Sequence, residues 1–415
     1  MRLHASNMYF LIFYVLITVF LFVQFQKHTK FSEDDLIGVN PIFQQQVIPV
    51  ADKKLEFLKN CGCKSTVTGK LYDFCYKLPE DEKSIGKKFD CKFVEEWEKI
   101  ESSTKFVDLQ NDSLPEPVFV TAFNNPFIRN GKRLISSIRR LGFHNKIILY
   151  NLGIEKENLK ALENSCILEI RHFNFTKYPG YVRNLKSYRW KPIVIAETLR
   201  EFGAIWYLDS SVVFEKKNVS HIYDLVTCHG KVNGTRAPLL SSSARDLRES
   251  REPHESGWNL DVWKRNLNEC RKGQYLLHGY SGHGILSATN PAVYKYFPTN
   301  PAELKKPKAK MYDAGFVYAV ATRQTMLDIV KWYFLCALQE DCMAPKDAVL
   351  RCTFENGDRF SSYAGCHRYD QSIINLVLAN QFWYDRRYYV SEIVDFFHID
   401  RSGSIGQIED QRQCI

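Results

Sequence analysis

The chain lacks the short motifs that mark several large enzyme classes. The turn after its first predicted strand reads AFNNPFIRNG (122–131), without the closely spaced glycines of a dinucleotide-binding Rossmann turn. The sequence also has no phosphate loop of the Walker type and no Gly-x-Ser-x-Gly nucleophile elbow. These absences argue against an oxidoreductase, a kinase, a sulfotransferase and a serine hydrolase.

A second acid is missing from the stretch AIWYLDSSVVF (204–214). This apolar, strand-like run reaches Asp209, and the carboxyl end of such a strand is where open α/β sheets bind their ligands. The residue two positions later is Ser211, which offers only a hydroxyl, so a metal held by this turn would be bound weakly. The alternative is that Asp209 only caps the turn at the end of the strand.

The composition is that of a folded, enzyme-sized body. Of the 415 residues 45% are hydrophobic, which is enough for one large core or two moderate ones. The formal net charge of +9 is spread along the chain, and the basic stretch RNGKRLISSIRR has the spacing of a solvated helix face. Nucleic acid is therefore not predicted as a partner, whereas nucleotide phosphates are compatible with this charge.

A long apolar run lies near the amino terminus. Residues 8–25 carry neither charge nor proline, and a helix of that length spans about 27 Å, close to the thickness of a bilayer core. We predict a transmembrane signal anchor there, with a cytoplasmic tail over 1–7 and a polar stem over 26–60. A cleaved signal peptide is the alternative, although FVQFQKHTK contains no small-x-small cleavage pattern.

Cysteines and glycosylation sequons indicate a lumenal body. All twelve cysteines lie outside 8–25, which is typical of an oxidising compartment. Sequons for N-glycosylation begin at Asn111, Asn174, Asn218 and Asn233. Together these signals predict a single-pass type II protein of the Golgi or endoplasmic reticulum membrane, with its carboxyl-terminal body in the lumen.

Two groups of cysteines are predicted to form disulfides. The first falls in a predicted amino-terminal subdomain over 61–114, and its Cys61-Gly-Cys63 spacing does not fit a zinc knuckle. The two groups are Cys61, Cys63, Cys75 and Cys91, and Cys336, Cys342, Cys352 and Cys366. The pairing within each group stays open, because spacing does not determine it.

From residue 115 onwards, strand and helix patterns alternate. Strands are predicted over 117–124, 146–153 and 167–175, with helices over 129–143 and 155–165 between them. A further helix over 192–202 should end at Gly203 and lead directly into 204–214. This order predicts an α/β fold with a mostly parallel sheet flanked by helices.

The chain combines a predicted anchor and stem with strand–helix units that lead to an Asp-x-Asp-like turn at Asp209. In these features it resembles glycosyltransferases of the GT-A fold, and the resemblance covers residues 115–400. Residues 401–415 are left as a carboxyl-terminal tail. More narrowly, SYRWKPIVIAETLREFGAIWYLDSSVVF is similar to a nematode-expanded family of uncharacterised type II membrane proteins. The GT-A resemblance implies a nucleotide-sugar donor and a glycan or glycoprotein acceptor. It also implies Mn²⁺ or Mg²⁺, held by Asp209 against the donor diphosphate, where the cation acts as a Lewis acid.

The same resemblance suggests substrate-binding residues on either side of this turn. Lys191 or Arg189, one helix upstream, should face the nucleotide, and Ser211 should contact the donor side. His283 lies among small residues in a predicted loop over 278–298 and is a hydrogen-bonding candidate for the sugar. The alternatives are a solvated helix start for the two basic residues and an ordinary loop position for the histidine.

The remaining candidates lie later in the chain. Asp370 and Gln371 match the acid-Gln pair that many GT-A enzymes carry at the start of a late helix, so Asp370 is the first choice for the base of an inverting reaction and Asp313 the second. Helix capping is the alternative for Asp370. His398, in the last strand-like run, is predicted as a further metal ligand, with a buried structural histidine as the alternative.

Together these features predict a hexosyltransferase-like lumenal glycosyltransferase, assisted by a metal. A non-catalytic relative, acting as a lumenal carbohydrate-binding or chaperone-like protein, is the main alternative and is favoured by the missing second acid. A cell-surface ectodomain is a third, and the alternation of strands and helices argues against it.

Overall fold

The computed structural model describes residues 60–165, 168–228, 267, 273–391 and 393–401. The predicted anchor over 8–25, the stem up to residue 59 and the tail beyond residue 401 lie outside these residues. Within the described part of the chain, no helix is both long and apolar enough to cross a membrane.

The described chain begins with a small disulfide-linked region. Two antiparallel pairs of short strands are followed by helix α1 (Val94–Ser102). The strands are β1 (Gly62–Lys64), β2 (Leu71–Asp73), β3 (Lys77–Leu78) and β4 (Asp81–Ile85). Cys61 pairs with Cys75 and Cys63 with Cys91, so the predicted disulfides of this group are confirmed. Trp97 on α1 contacts Phe334 of the main body, with ring centroids 6.0 Å apart, so this region packs on the main core.

The predicted mostly parallel sheet is confirmed. Its six strands lie in the order β10-β13-β8-β5-β6-β7, of which β8, β5, β6 and β7 run parallel and β13 runs antiparallel between β8 and β10. Their bounds are β5 (Val118–Phe123), β6 (Ile147–Asn151), β7 (Glu169–His172), β8 (Ala204–Leu208), β10 (Tyr275–Leu276) and β13 (Phe316–Val320). The central strands are buried on both faces, which explains why they appear in the sequence as continuous apolar runs.

Helices cover both faces of this sheet. The helices of this part of the chain are α2 (Ile128–Arg140), α3 (Lys156–Ser165), α4 (Trp190–Phe202), α5 (Ser220–Thr227), α6 (Pro301–Leu304), α7 (Lys331–Leu338), α8 (Glu340–Met343) and α9 (Asp370–Gln381). Alternate side chains of β8 enter two separate cores: Ile205 and Tyr207 pack with α4, α7 and α9, whereas Trp206 and Leu208 pack with α2 and α5.

Three features around β8 position the candidate site. Gly203 ends α4 in the left-handed conformation (φ 76°), which confirms the predicted cap. The run 204–214, predicted as one strand, forms two, because a turn at Asp209 separates β8 from β9 (Val212–Phe214). Strand β9 pairs antiparallel with β14 (Phe397–Ile399) and leaves the main sheet. Asp209 therefore lies directly after the carboxyl end of β8.

A second small sheet lies beside this edge. It consists of β11 (Tyr280–Gly284) and β12 (Lys310–Tyr312), which pair antiparallel. Residues 280–284 were predicted as part of a loop, and that prediction is wrong. The small residues there serve packing, because a Cβ added at Gly284 would lie 2.8 Å from the ring of Phe360.

Candidate functional site

Asp209 is held at the sheet edge by its backbone and by its carboxylate. Its N–H donates to the carbonyl of Gly315, at 2.7 Å, in the connection before β13. Its Oδ1 accepts a hydrogen bond of 2.9 Å from the hydroxyl of Tyr207, two residues back on β8. The side chain is 32% exposed, so one face of the carboxylate remains open to a ligand.

Lys191 places a buried ammonium group between two acids. Its Nζ lies 3.1 Å from Oδ1 and 3.2 Å from Oδ2 of Asp209, and 2.7 Å from Oδ2 of Asp370. Burial by itself lowers the pKa of Lys191, but the charges of the two carboxylates outweigh burial and hold the pKa above its usual value. Lys191 is thus a permanent cation, and it links the edge of β8 to the start of α9.

Asp370 and Gln371 lie side by side on the first turn of α9, as predicted for an acid-Gln pair. The Asp370 side chain is 6% exposed, and burial, followed by the charge of Asp209, raises the pKa of its carboxyl group above the usual range. Tyr369, not Asp370, occupies the N-cap position of α9, and Asp370 forms the ion pair with Lys191. A buried carboxylate with a raised pKa suits proton transfer better than a solvated one does.

Asp313 lies in the three-residue connection between β12 and β13. Its backbone N–H donates to Gly279, and its Oδ1 accepts from the Ser281 hydroxyl at 3.1 Å. Ser281 in turn accepts a hydrogen bond of 2.8 Å from the Gln371 amide. Burial raises the pKa of Asp313, and the positive charge of Arg401 opposes this shift. The negative charge of Asp209 raises the pKa of Asp313 further, so the charges of these two acids interact.

Two glycines lie directly against these carboxylates. A Cβ added at Gly315 would lie 2.5 Å from Oδ2 of Asp209, and one at Gly279 would lie 3.5 Å from Oδ2 of Asp313. The carboxylate oxygens that face these glycines are the hard ligands that Mn²⁺ and Mg²⁺ prefer. A divalent cation would reach Asp209 from its exposed side and would take its other ligands from phosphate oxygens and water.

The acids do not enclose a metal by themselves. Among the described residues, one group of three side chains has potential ligand atoms within 4.8 Å of one another, namely Cys61, Asp73 and Cys75. The disulfide between those two cysteines makes it unsuitable for a metal. A cation at Asp209 would therefore depend on a bound ligand for part of its coordination.

Arg189 lies elsewhere, so the interpretation of Arg189 as a nucleotide-facing residue needs correction. Its guanidinium donates to the backbone carbonyls of Ala337, Gln339 and Glu340, at 2.9, 2.9 and 2.5 Å. These carbonyls lie where α7 ends and α8 begins, and Arg189 is buried over them. Its role in this structure is to satisfy backbone oxygens at a helix end.

The two candidate histidines make other contacts. His283 is buried on β11, with Nδ1 3.2 Å from the Gly284 carbonyl, and burial lowers its pKa to about 4, so its ring is neutral. His398 lies opposite Val213 on β9, and its Nδ1 is 2.7 Å from a carboxylate oxygen of Glu215. Neither ring makes a contact with the Lys191–Asp209–Asp370 cluster among the described contacts, because their strands direct them to other neighbours.

The residue opposite Ser211 is Asp400, two positions after His398. The N–H of Asp400 donates to the Ser211 carbonyl at 2.8 Å, and Arg401 follows, with its guanidinium 3.8 Å from Oδ1 of Asp313. Sequence reasoning did not identify Arg401, Tyr207 or Ser281. Tyr207 had a usable signal, because residues two apart on a strand share a face.

The predicted disulfides of the late cysteines are also confirmed, and the structure gives the pairing that the sequence left open. Cys336 is bonded to Cys342 and Cys352 to Cys366. The loop closed by the second bond contacts β11 through Arg359, which donates to the Gly282 carbonyl at 3.1 Å. This disulfide therefore stabilises the side of the site that carries Ser281.

A family model described as "Protein of unknown function (DUF1647)" matches residues 61–196. No curated protein matches the chain. Similar solved structures include the apo form of the WbbM bifunctional glycosyltransferase, with 13% identity and a TM-score of 0.33 over 69% of this chain and 40% of that one. The chain thus spans less than half the length of WbbM. Others are core-mannan synthase A from Aspergillus fumigatus in its Mn/GDP form (9% identity, TM-score 0.33, 66% and 77% covered) and apo mouse xyloside xylosyltransferase 1 (10%, 0.31, 66% and 84%).

Proposed function

We propose that this protein is a glycosyltransferase that moves a sugar from a nucleotide-sugar to a hydroxyl of a glycan or glycoprotein. The observation that carries the proposal is the convergence of Asp209, Lys191 and Asp370 at the carboxyl end of β8. These residues come from three separate elements, and they meet at the edge where open α/β sheets bind ligands. A purely structural sheet edge does not require two acids around a buried lysine.

Each residue has a role in this proposal. Asp209 holds Mn²⁺ or Mg²⁺ on the donor diphosphate, and the bound cation supplies Lewis-acid stabilisation of the leaving group. Lys191 contacts both carboxylates and fixes their spacing. In an inverting reaction, Asp370 accepts the proton of the acceptor hydroxyl on a carboxylate oxygen as the new glycosidic bond forms. Ser281 and Gln371 position Asp313 beside the site.

We also propose that this body acts in the lumen of the Golgi or endoplasmic reticulum, as a type II membrane protein. The uncharged run at 8–25 supports the anchor. The four disulfides between described cysteines support an oxidising compartment. Asn111, Asn174 and Asn218 are exposed, which suits glycosylation there.

The test is a binding screen of the full chain in detergent. A panel of UDP- and GDP-sugars is titrated with Mn²⁺ and again with EDTA, and binding is followed by calorimetry. Saturable binding of at least one donor, tighter with Mn²⁺, is the expected result. Absence of binding to every donor under both conditions would contradict the proposal.

A second candidate is a carbohydrate-binding protein that has lost catalysis. Two observations favour it: Ser211 stands where a second acid is expected, and His398 pairs with Glu215. This protein would bind free glycans and show no affinity for nucleotide-sugars. The same screen, extended to an array of glycans, separates the two candidates.

A further inference from the structure

Two tyrosines precede the helices that carry Lys191 and Asp370. Tyr188 lies two residues before α4, and Tyr369 is the N-cap residue of α9. Both have a positive φ, of 53° and 47°, which is uncommon for a bulky side chain. Their ring centroids are 6.3 Å apart, and the rings are tilted by 43°. Two unfavourable backbone conformations thus occur at a pair of aromatic rings beside the candidate site.

We propose that Tyr188 is an acceptor-binding residue, whose ring packs against the apolar face of a pyranose while a hydroxyl of that sugar reaches Asp370. This inference rests on the proposed function, because Asp370 as the base is what assigns the sugar to the acceptor. The ligand class is a pyranose glycoside, and the sequence analysis did not identify this residue.

Tyr188 lies next to the charged cluster. Nζ of Lys191 is 5.4 Å from the centroid of the Tyr188 ring, and the same nitrogen is 2.7 Å from Oδ2 of Asp370. The ring and the proposed base therefore share one neighbouring ammonium group. A base must lie within hydrogen-bond reach of the hydroxyl that it deprotonates. An acceptor sugar that reaches Asp370 is therefore brought to the side of Tyr188.

Of the two tyrosines, Tyr188 keeps its polar atom available to a ligand. The hydroxyl of Tyr369 donates to the Ala348 carbonyl at 3.0 Å, whereas the hydroxyl of Tyr188 makes no hydrogen bond within the described part of the chain. Both side chains are partly exposed. Tyrosine combines an apolar ring face with a polar tip, and a pyranose likewise combines C–H faces with hydroxyl groups at its edge.

Apolar side chains continue this surface next to Tyr369. The Val349 carbonyl accepts the backbone N–H of His367 at 2.7 Å, and the Leu350 carbonyl accepts the guanidinium of Arg368 at 3.3 Å. The side chains of Val349 and Leu350 are 50% and 41% exposed. Aromatic and aliphatic groups with a few polar atoms are typical of sites that bind small molecules with apolar faces. They suit a sugar ring better than a phosphate.

The backbone conformation by itself does not mark a ligand site. Trp383, just beyond the other end of α9, also has a positive φ, of 50°, and its side chain is 58% exposed. A helix of twelve residues separates it from Asp370 by about 18 Å. What distinguishes Tyr188 is its contact with Lys191, and Trp383 is therefore a matched control.

The experiment titrates methyl α- and β-glycosides of glucose, galactose, mannose and N-acetylglucosamine into the full chain, held in a detergent that carries no sugar. Binding is followed by saturation-transfer NMR, with and without UDP or GDP and Mg²⁺. Tyr188→Asn removes the ring and suits the left-handed backbone (φ 53°, ψ 19°). We expect the affinity for the glycosides that bind wild type to fall about tenfold or more, as for a tyrosine at a binding hot spot.

Two variants serve as controls. Tyr188→Phe keeps the ring and should bind glycosides within about threefold of wild type. Trp383→Asn removes an exposed aromatic side chain at a similar backbone conformation and should leave glycoside affinity unchanged. Circular dichroism and thermal unfolding check that each variant is folded.

A spectroscopic label tests Tyr188 even if Tyr188→Asn misfolds. With 3-fluorotyrosine at position 188, the ¹⁹F resonance should shift on addition of a glycoside and saturate at the wild-type affinity. The same label at Tyr223, which lies on α5 in the core on the other face of the sheet, should not shift. A resonance at position 188 that stays unchanged at saturating glycoside would contradict the inference.

The remaining outcomes separate this inference from the proposed function. If Tyr188→Asn weakens binding of the nucleotide-sugar but not of glycosides, the ring contacts the donor and the inference is wrong. If wild type binds a nucleotide-sugar but none of the glycosides, the inference fails and the proposed function stands. If wild type binds glycosides through Tyr188 but no nucleotide-sugar, the proposed function fails, and the sugar is a ligand rather than an acceptor.

Discussion

Two buried cations lie two residues apart at the start of α4, yet one is surrounded by carboxylates and the other by neutral carbonyls. Lys191 contacts the carboxylates of Asp209 and Asp370, whereas Arg189 donates to backbone carbonyls at the junction of α7 and α8 and lies over the ring of Tyr181. Burial lowers the pKa of Arg189 to about 10, while the carboxylates hold the pKa of Lys191 above its usual value. Neighbouring basic residues of similar burial thus serve a candidate site in one case and a helix end in the other.

The difference shows that burial alone does not identify a functional cation. Carbonyl dipoles satisfy the hydrogen-bonding needs of Arg189 and leave no group for chemistry. Burying the two acids around Lys191 costs free energy, yet the fold places them there. A buried ion cluster at a ligand-binding edge is therefore the stronger functional signal, and the following variants test that distinction.

The largest effect is expected from Asp370→Asn, because this variant removes the proposed catalytic base. Asp370 is also one of the two acids that distinguish Lys191 from Arg189. If Asp370 accepts the acceptor proton, turnover should fall about 10²- to 10⁴-fold, while donor affinity changes little because Lys191 keeps Asp209. Release of nucleoside diphosphate, measured with the donor found in the screen, reports turnover. Wild-type turnover in Asp370→Asn would show that another group takes the proton.

Lys191→Met should affect both stability and binding. It leaves two carboxylates without their shared cation, and breaking a buried ion pair in this way costs about 3–5 kcal/mol. We expect a lower midpoint in urea unfolding and loss of donor binding at low temperature, where the variant remains folded. Lys191→Arg is the control that keeps the charge, and a Lys191→Met chain that binds donor like wild type would place the lysine outside the site.

Arg189→Met should affect stability alone. It leaves three carbonyls of the α7–α8 junction without a donor, at about 1–3 kcal/mol for each oxygen that water does not reach. Urea unfolding should therefore shift, whereas the donor affinity of the folded chain should stay within about threefold of wild type. If Arg189→Met reduces donor affinity as much as Lys191→Met does, then Arg189 and Lys191 do not differ in function.

Gly315→Ala should change binding with little change in stability. The added carbon would lie 2.5 Å from the carboxylate of Asp209, which must move away from Tyr207 and Lys191. Donor affinity should fall about tenfold, corresponding to 1.4 kcal/mol. Gly180→Ala is the matched control, because nothing lies within 4 Å of its added carbon. Equal affinities for the two variants would mean that the carboxylate position is unimportant.

Local patterns were sufficient to predict the frame of the molecule. Continuous apolar runs marked β5, β6 and β8, because strands buried on both faces show no alternation, and Gly203 marked the end of α4. The same reasoning placed Asp209 at the end of a central strand. These features depend on neighbouring residues, so the sequence contains them in a readable form.

The partners of the site residues could not be predicted in this way. Arg189 and Lys191 look alike in SYRWKP, but the contacts of Arg189 lie about 150 positions later, and one of the two acids of Lys191, Asp370, lies about 180 positions later. His283 appeared to be in a loop because glycines flank it, yet one of them, Gly284, allows β11 to pack against Phe360. Such contacts are set by tertiary packing, which spacing along the chain does not encode.

The central claim is that Asp209 binds a nucleotide-sugar through a cation. Calorimetric titration of wild type and Asp209→Asn, each with Mn²⁺ and with EDTA, tests it most directly, using the donor found in the screen. Loss of a buried charged contact costs about 2–5 kcal/mol, so Asp209→Asn should weaken binding about 30-fold or more with Mn²⁺ and much less with EDTA. Its thermal stability should change little, because Lys191 keeps Asp370 as a partner. Equal donor affinity of the two proteins in Mn²⁺ would contradict the account.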